Sequence, residues 1–98
     1  MPEDAAKVAP QAYKVLFENE RSRVLEVSMK PGERTEMHHH PDYIVYMLEN
    51  GKVRFTAPSG ETAELELSAG AIMWRDAEEH ATENIGSTEV RGIFFEPK

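Results

Sequence analysis

The sequence contains no cysteine. Disulfides, thiolate metal sites and a cysteine nucleophile are excluded, so any metal must sit on nitrogen and oxygen ligands. The lack of cysteine also fits a reducing cytoplasm. Positive charge is scarce: 11 Lys and Arg stand against 18 Asp and Glu, a formal net charge of −7. Nucleic acid binding needs clustered Lys and Arg, and no such cluster is present, so no nucleic acid partner is expected. Long apolar runs are missing too. Nothing approaches the ~20 apolar residues of a membrane span, and residues 1–7 have no apolar segment of the kind a signal peptide needs. The expectation is a cytoplasmic protein without membrane association.

What is there describes one small domain. A chain of 98 residues buries roughly 60–65% of its unfolded surface, enough for one core and not for two. Residues 1–10 are small, charged or Pro. They read as a mobile lead-in or an arm that docks elsewhere, which divides the chain into a flexible segment 1–11 and a domain 12–98.

Beyond residue 11 the pattern is that of strands. Apolar and polar residues alternate with period two in 23–29, where Leu25, Val27 and Met29 share a face; in 52–57, with Val53, Phe55 and Ala57; and in 62–67, with Ala63, Leu65 and Leu67. The run 43–48 is apolar almost throughout and is expected to be buried on both faces. Residues 90–95 read as a final strand. Turn signals lie between these runs, at Pro31-Gly32, Asn50-Gly51, Ser59-Gly60, Ala69-Gly70 and Gly86-Ser87. Asn50-Gly51 is the strongest, because both residues accept the positive φ of a primed hairpin turn. No segment keeps a helical period with caps. Short strands at ~8–12 residue spacing predict an all-β sandwich or barrel.

The four histidines fall as a triplet, His38, His39 and His40, and a single His80. Residues i and i+2 of a strand share a face, so His38 and His40 point together and His39 points away. Two imidazoles on one side of a strand are half of a metal site, and His80 is the one remaining histidine able to add a third. Spacing alone leaves a competing reading open: adjacent surface histidines are often merely solvated, and His80 by itself reads as an ordinary histidine.

These residues resemble the cupin superfamily. Its first motif runs Gly, five residues, His-x-His, three or four residues, Glu, six residues, Gly. Here Gly32, His38, His40 and Gly51 keep every spacing, and Ile44 stands at the Glu position. In the second motif His80 and Asn84 match, Ala77 and Arg75 replace the family Gly and Pro, and Gly70 is one residue out of register. The likeness spans 23–96. It implies a single antiparallel cupin, or jelly-roll, β-barrel that holds one divalent metal ion per chain (Fe, Zn, Mn, Ni, Co or Cu) on His38, His40 and His80. With Ile44 in place of the acid, a three-His site keeps the full 2+ charge and favours anionic or chelating ligands. Some relatives with such sites cleave diketones or oxidise thiols with ferrous iron and oxygen; others bind metal with no known reaction.

Metal-bound histidines usually donate their second N–H to a carboxylate or carbonyl. Glu36, Asp42, Glu79 and Glu83 are near in sequence, although a solvated acid is the ordinary reading of each. Asn84 either reaches the site or closes a turn. Met29, Tyr46, Phe55 and Trp74 could line the interior, and core packing is their ordinary role. Tyr46, two residues after Ile44, is the candidate catalytic residue, an acid or hydrogen-bond donor beside the metal.

Three functions follow in order: a metal-dependent enzyme (oxygenase, isomerase or lyase type) acting on a small oxygenated or chelating molecule; a non-catalytic module binding a small ligand; and a barrel that has lost its metal. Open sheet edges and the segment before Ala12 lead to an expected homodimer formed by edge pairing or exchange of the N-terminal arm.

Overall fold

The computed structural model describes residues 3–98. Nine strands follow a single helical turn, α1 (Ala5–Val8): β1 (Tyr13–Glu18), β2 (Ser22–Met29), β3 (His38–His40), β4 (Tyr43–Met47), β5 (Gly51–Thr56), β6 (Thr62–Leu67), β7 (Ile72–Arg75), β8 (Glu78–Asn84) and β9 (Val90–Pro97). They form two antiparallel sheets, one in the order β1-β2-β9-β4-β7 and one in the order β3-β8-β5-β6. The period-two pattern decides what lies between them. Leu25, Val27 and Met29 of β2, Tyr43, Val45 and Met47 of β4, and Val53 of β5 are all buried. Covering each such side chain contributes about 1.5–3 kcal/mol relative to exposure. No helix is long and apolar enough to cross a membrane among the described residues.

Two local expectations are corrected. Asn50-Gly51 does not make a primed hairpin. Among the described residues only Gly32, Gly60 and Gly70 have positive φ. The reason is topological: β4 pairs with β7 and β9, β5 pairs with β6 and β8, and the link between β4 and β5 carries the chain from one sheet to the other. Gly51 sits close to Val90, where a Cβ would crowd Cγ2 at 3.0 Å. Residues 43–48 are not buried on both faces either. Ile44 is half-buried and Tyr46 is 43% exposed, because the outer side of their sheet is uncovered.

Residues 3–12, the described part of the segment before β1, are docked on the domain's own barrel; the rest of the expected lead-in, residues 1 and 2, lies outside the described residues. Ala5 and Ala9 are fully buried. The His39 amide donates to the Glu3 carbonyl at 2.8 Å. Asp4 caps α1 by accepting from the Ala6 amide at 3.1 Å, and takes the two terminal nitrogens of Arg23 at 2.6 and 2.9 Å. A charge-assisted, two-pronged contact of this kind fixes geometry as well as adding energy.

Candidate metal centre

Strand pairing assembles the site. His38 lies directly opposite His80 across β3 and β8, and His40 is two residues along β3 on the same face. All three residues are buried, at no more than 3% exposure. Their ring centroids are 4.7, 4.9 and 5.0 Å apart, and one nitrogen from each lies within 4.8 Å of the other two. His39 points outward, as alternation requires.

Hydrogen bonding sets how the nitrogens face. His38 Nδ1 donates to the Glu36 carbonyl at 2.8 Å, which leaves Nε2 with a bare lone pair. The Thr35 hydroxyl, 3.3 Å from the same Nδ1, accepts from the Thr82 amide and fixes this corner. His38 Nε2 is 3.0 Å from His40 Nε2. His40 Nδ1 and both nitrogens of His80 are buried without a hydrogen-bond partner. A buried orphan of this kind costs about 1–3 kcal/mol, and one divalent cation placed among the three rings satisfies a nitrogen on each. The donor set therefore fits a metal. Burial holds the His38 and His40 imidazoles neutral, as ligation requires: it pushes His38 down to about 4 and, with His80 and His38 as neighbours, His40 lower still.

The carboxylate nearest these rings is Glu78, outside the set singled out in sequence. Its Oε1 is 3.3 Å from His80 Nδ1, within ion-pair range but off the direction of a hydrogen bond. Its Oε2 accepts from the Tyr43 hydroxyl at 2.6 Å, and Arg75 grips both oxygens at 2.7 and 2.8 Å. Burial alone would raise the Glu78 carboxyl, but Arg75, His80 and Tyr43 outweigh it and hold it well below the usual carboxylate range. The sequence candidates do other work. Glu36 contributes its backbone carbonyl, Asp42 accepts from the Ala77 amide, Glu83 pairs with Arg54, and Glu79 stands opposite His39. Asn84 closes a turn, donating to the carbonyls of Met29 and Thr88 and accepting from Gly86.

Tyr46 does not reach the histidines. On β4 the buried residues are Tyr43, Val45 and Met47, so Tyr46 falls on the outer face with Ile44. The phenol at the site is Tyr13, whose hydroxyl is 3.3 Å from His38 Nε2. Burial raises the phenols of Tyr13 and Tyr43 above their ordinary range, so both remain hydrogen-bond donors. Trp74, at 52% exposure, also lies outside the barrel. Met29 and Phe55 do face inward, and Phe55 stacks on His80 with ring centroids 4.4 Å apart. Inside the barrel, a cavity of about 40 Å³ is bounded by His80, Tyr13, Tyr43, Phe55 and Phe94, with Arg75 at its margin. Taking ~10–15 Å³ per water, it holds a group of about three non-hydrogen atoms.

A family model described as "Cupin domain" matches residues 25–96. The chain belongs to the cupin family. It is similar to a cupin domain from Bordetella pertussis Tohama I: 31% identity, 88% of this chain and 91% of that one covered, TM-score 0.79. A conserved protein with a double-stranded β-helix domain from Klebsiella pneumoniae shares the fold at 21% identity, with 85% and 72% covered and TM-score 0.66. So does a polyketide cyclase from Streptomyces resistomycificus, at 21% identity, with 87% and 63% covered and TM-score 0.62. No curated protein matches.

Proposed function

We propose that this protein is a mononuclear metal cupin that binds one divalent ion on His38, His40 and His80 and acts on a small oxygenated or metal-chelating molecule, by oxygenase, isomerase or lyase chemistry. The observation that carries the reading is three buried imidazoles that each bring one nitrogen within 4.8 Å of the other two, both His80 nitrogens lacking a hydrogen-bond partner, beside an apolar cavity. A bound ion would supply a Lewis acid with positions open to substrate. The chain's own residues supply the rest. The Tyr13 hydroxyl donates toward a ligand oxygen next to His38. Glu78, held by Tyr43 and Arg75, sets a negative charge beside His80. The apolar walls exclude water and limit the reacting group to a few atoms.

Binding without turnover is the second reading. It is favoured by the location of Arg75, whose Nε and one terminal nitrogen are committed to Glu78, and by a lining that holds, among the described residues, no carboxylate and only one imidazole, His80, which this reading assigns to the metal. The two readings separate on one experiment. The metal-loaded protein is titrated with small diketones, hydroxy acids and thiols, following the metal's spectrum together with product formation and oxygen uptake. Spectral change with product supports the enzyme; spectral change alone supports the binding module; no response to any of them contradicts both.

A further inference from the structure

The three imidazoles are buried, so an ion needs a way in. The walls around them differ in how firmly they are held. Strand β1 is the outermost strand of one sheet and β3 of the other, and the two edges do not pair. His38 and His40 stand on β3 and Tyr13 on β1, with the Tyr13 ring centroid 5.1 and 5.2 Å from theirs. The N-terminal arm covers the gap between these edges, since α1 packs against both β1 and β3.

The arm's apolar hold is light. Its fully buried side chains are those of Ala5 and Ala9, one methyl group each, whereas Leu25, Met29, Tyr43 and Val53 fill the rest of the wall from β2, β4 and β5. Lys7 and Pro10 are exposed, and Val8 is half-buried. To β3 the arm offers the Glu3 carbonyl, which accepts from the His39 amide at 2.8 Å, and a parallel bridge between Asp4 and His39. Its other attachment is ionic. Arg23 of β2 holds Asp4 at 2.6 and 2.9 Å and Glu96 at 2.5 Å. The Asp4 side chain is 35% exposed, so its carboxylate returns readily to water, and Arg23 keeps Glu96 when it does. Undocking therefore strands no buried charge. Segments with few buried apolar contacts are the ones that open by local unfolding while the core stays folded. A hinge is present too. The Ala12 carbonyl accepts from the Ser28 amide at 2.9 Å and fixes the start of β1, while Pro10 and Gln11 just before it lie exposed in a turn.

We propose that residues 3–9 are a hinged stave of the barrel, and that their undocking is the path by which a metal ion reaches and leaves His38, His40 and His80. This rests on the three-histidine reading above. A door acts on passage in both directions, so loosening it speeds uptake and release by the same factor and leaves affinity unchanged. A segment that shaped the ligands instead would change affinity.

The test is the rate at which the zinc-loaded protein gives up Zn(II) to excess coloured chelator, and the rate at which the metal-free protein takes it up. Asp4→Ala removes the latch. It is expected to speed both rates roughly three- to fivefold, as loss of a partly solvated ion pair allows, with the equilibrium zinc content unchanged. Arg54→Ala, which removes a cation paired with Glu64 and Glu83 on the other sheet, leaves both rates as they are. The chain has no cysteine, so Asp4→Cys combined with His39→Cys allows a single disulfide, across the bridged pair. Oxidised, this variant is expected to exchange zinc at least about tenfold more slowly than when reduced with a phosphine, because the local opening is blocked. Equal rates in its two forms overturn the proposal. So does an Asp4→Ala variant whose affinity falls while its uptake rate stays the same, which would make the arm a support for the ligands. A parent that binds no zinc is a separate result: it ends the three-histidine reading, and the door falls with it. Circular dichroism shows whether each variant is folded; if Asp4→Ala is not, the oxidised and reduced forms decide.

Discussion

The Tyr43 hydroxyl donates a 2.6 Å hydrogen bond to Glu78, whose second carboxylate oxygen lies 3.3 Å from His80 Nδ1. The chain thus brings a half-buried acid beside the histidine cluster from β8, two residues before His80, although the cupin spacing puts Ile44 where the family acid would be. A carboxylate behind a ligating imidazole fixes the ring and raises its basicity. Glu78→Gln keeps the shape and loses the charge, and is expected to weaken metal affinity about 10–100-fold with the fold intact. Competition titration against a chelator measures this. Tyr43→Phe should weaken binding less, because Arg75 still grips Glu78. Equal affinity in Glu78→Gln and the parent would show that the acid does not serve His80.

Tyr13 and Tyr46 give opposite expectations. Tyr13→Phe removes a donor 3.3 Å from His38 Nε2 and should leave metal content unchanged while lowering ligand affinity or turnover, by about tenfold if one hydrogen bond to a charged group is lost. Tyr46→Phe changes an outward ring and should alter neither. A response to Tyr46→Phe with none to Tyr13→Phe would reverse the assignment.

The anchoring of the N-terminal turn is expected to be pH-dependent. Burial works to raise the Asp4 carboxyl, but the hydrogen bonds and charge of Arg23 outweigh it and leave it below its ordinary value of 3.8. A carboxyl that ionises more readily when folded adds stability above its unfolded pKa and loses it as pH falls through the folded value. Asp4→Asn should therefore lower stability at pH 7, by under about 1 kcal/mol because Asp4 is partly solvated, and the difference should shrink as the pH falls below 3.8 and through the lower folded value. Glu96, also on Arg23, is raised by its burial despite that partner, so its contribution runs the other way and weakens as pH rises. Denaturant unfolding of parent and variant at several pH values isolates the Asp4 effect; a difference that persists in acid would mean that the contact is not ionic.

Much of the fold was legible because alternation reports burial directly. Strands β2, β5 and β6 carry apolar residues every second position on an inner face, and β9 closes the pattern. Strand β8 was not legible as a strand, because its buried positions are His80, Thr82 and Asn84: the strand that carries the site spends its inner face on polar groups. Strand β7 is only four residues long, and β1 has its alternation broken by a bulge between Val15 and Phe17. The histidine triad could be read from i, i+2 spacing with the family motif. Tyr13 and Glu78 could not, since Tyr13 meets His38 across 25 positions and Glu78 is indistinguishable in sequence from Glu79 beside it. Tyr46 was misplaced because an apolar run hides which of its faces is inside.

Metal content tests the central claim most directly. The untagged protein, and His38→Ala and His80→Ala, are purified and their metals counted by elemental analysis, then counted again after titration with Fe(II), Zn(II) and Mn(II). The account predicts about one ion per chain in the parent and none retained by either variant, with all three folded. A parent that holds no metal and takes none up, or a variant that keeps its full complement, would contradict a centre built on His38, His40 and His80.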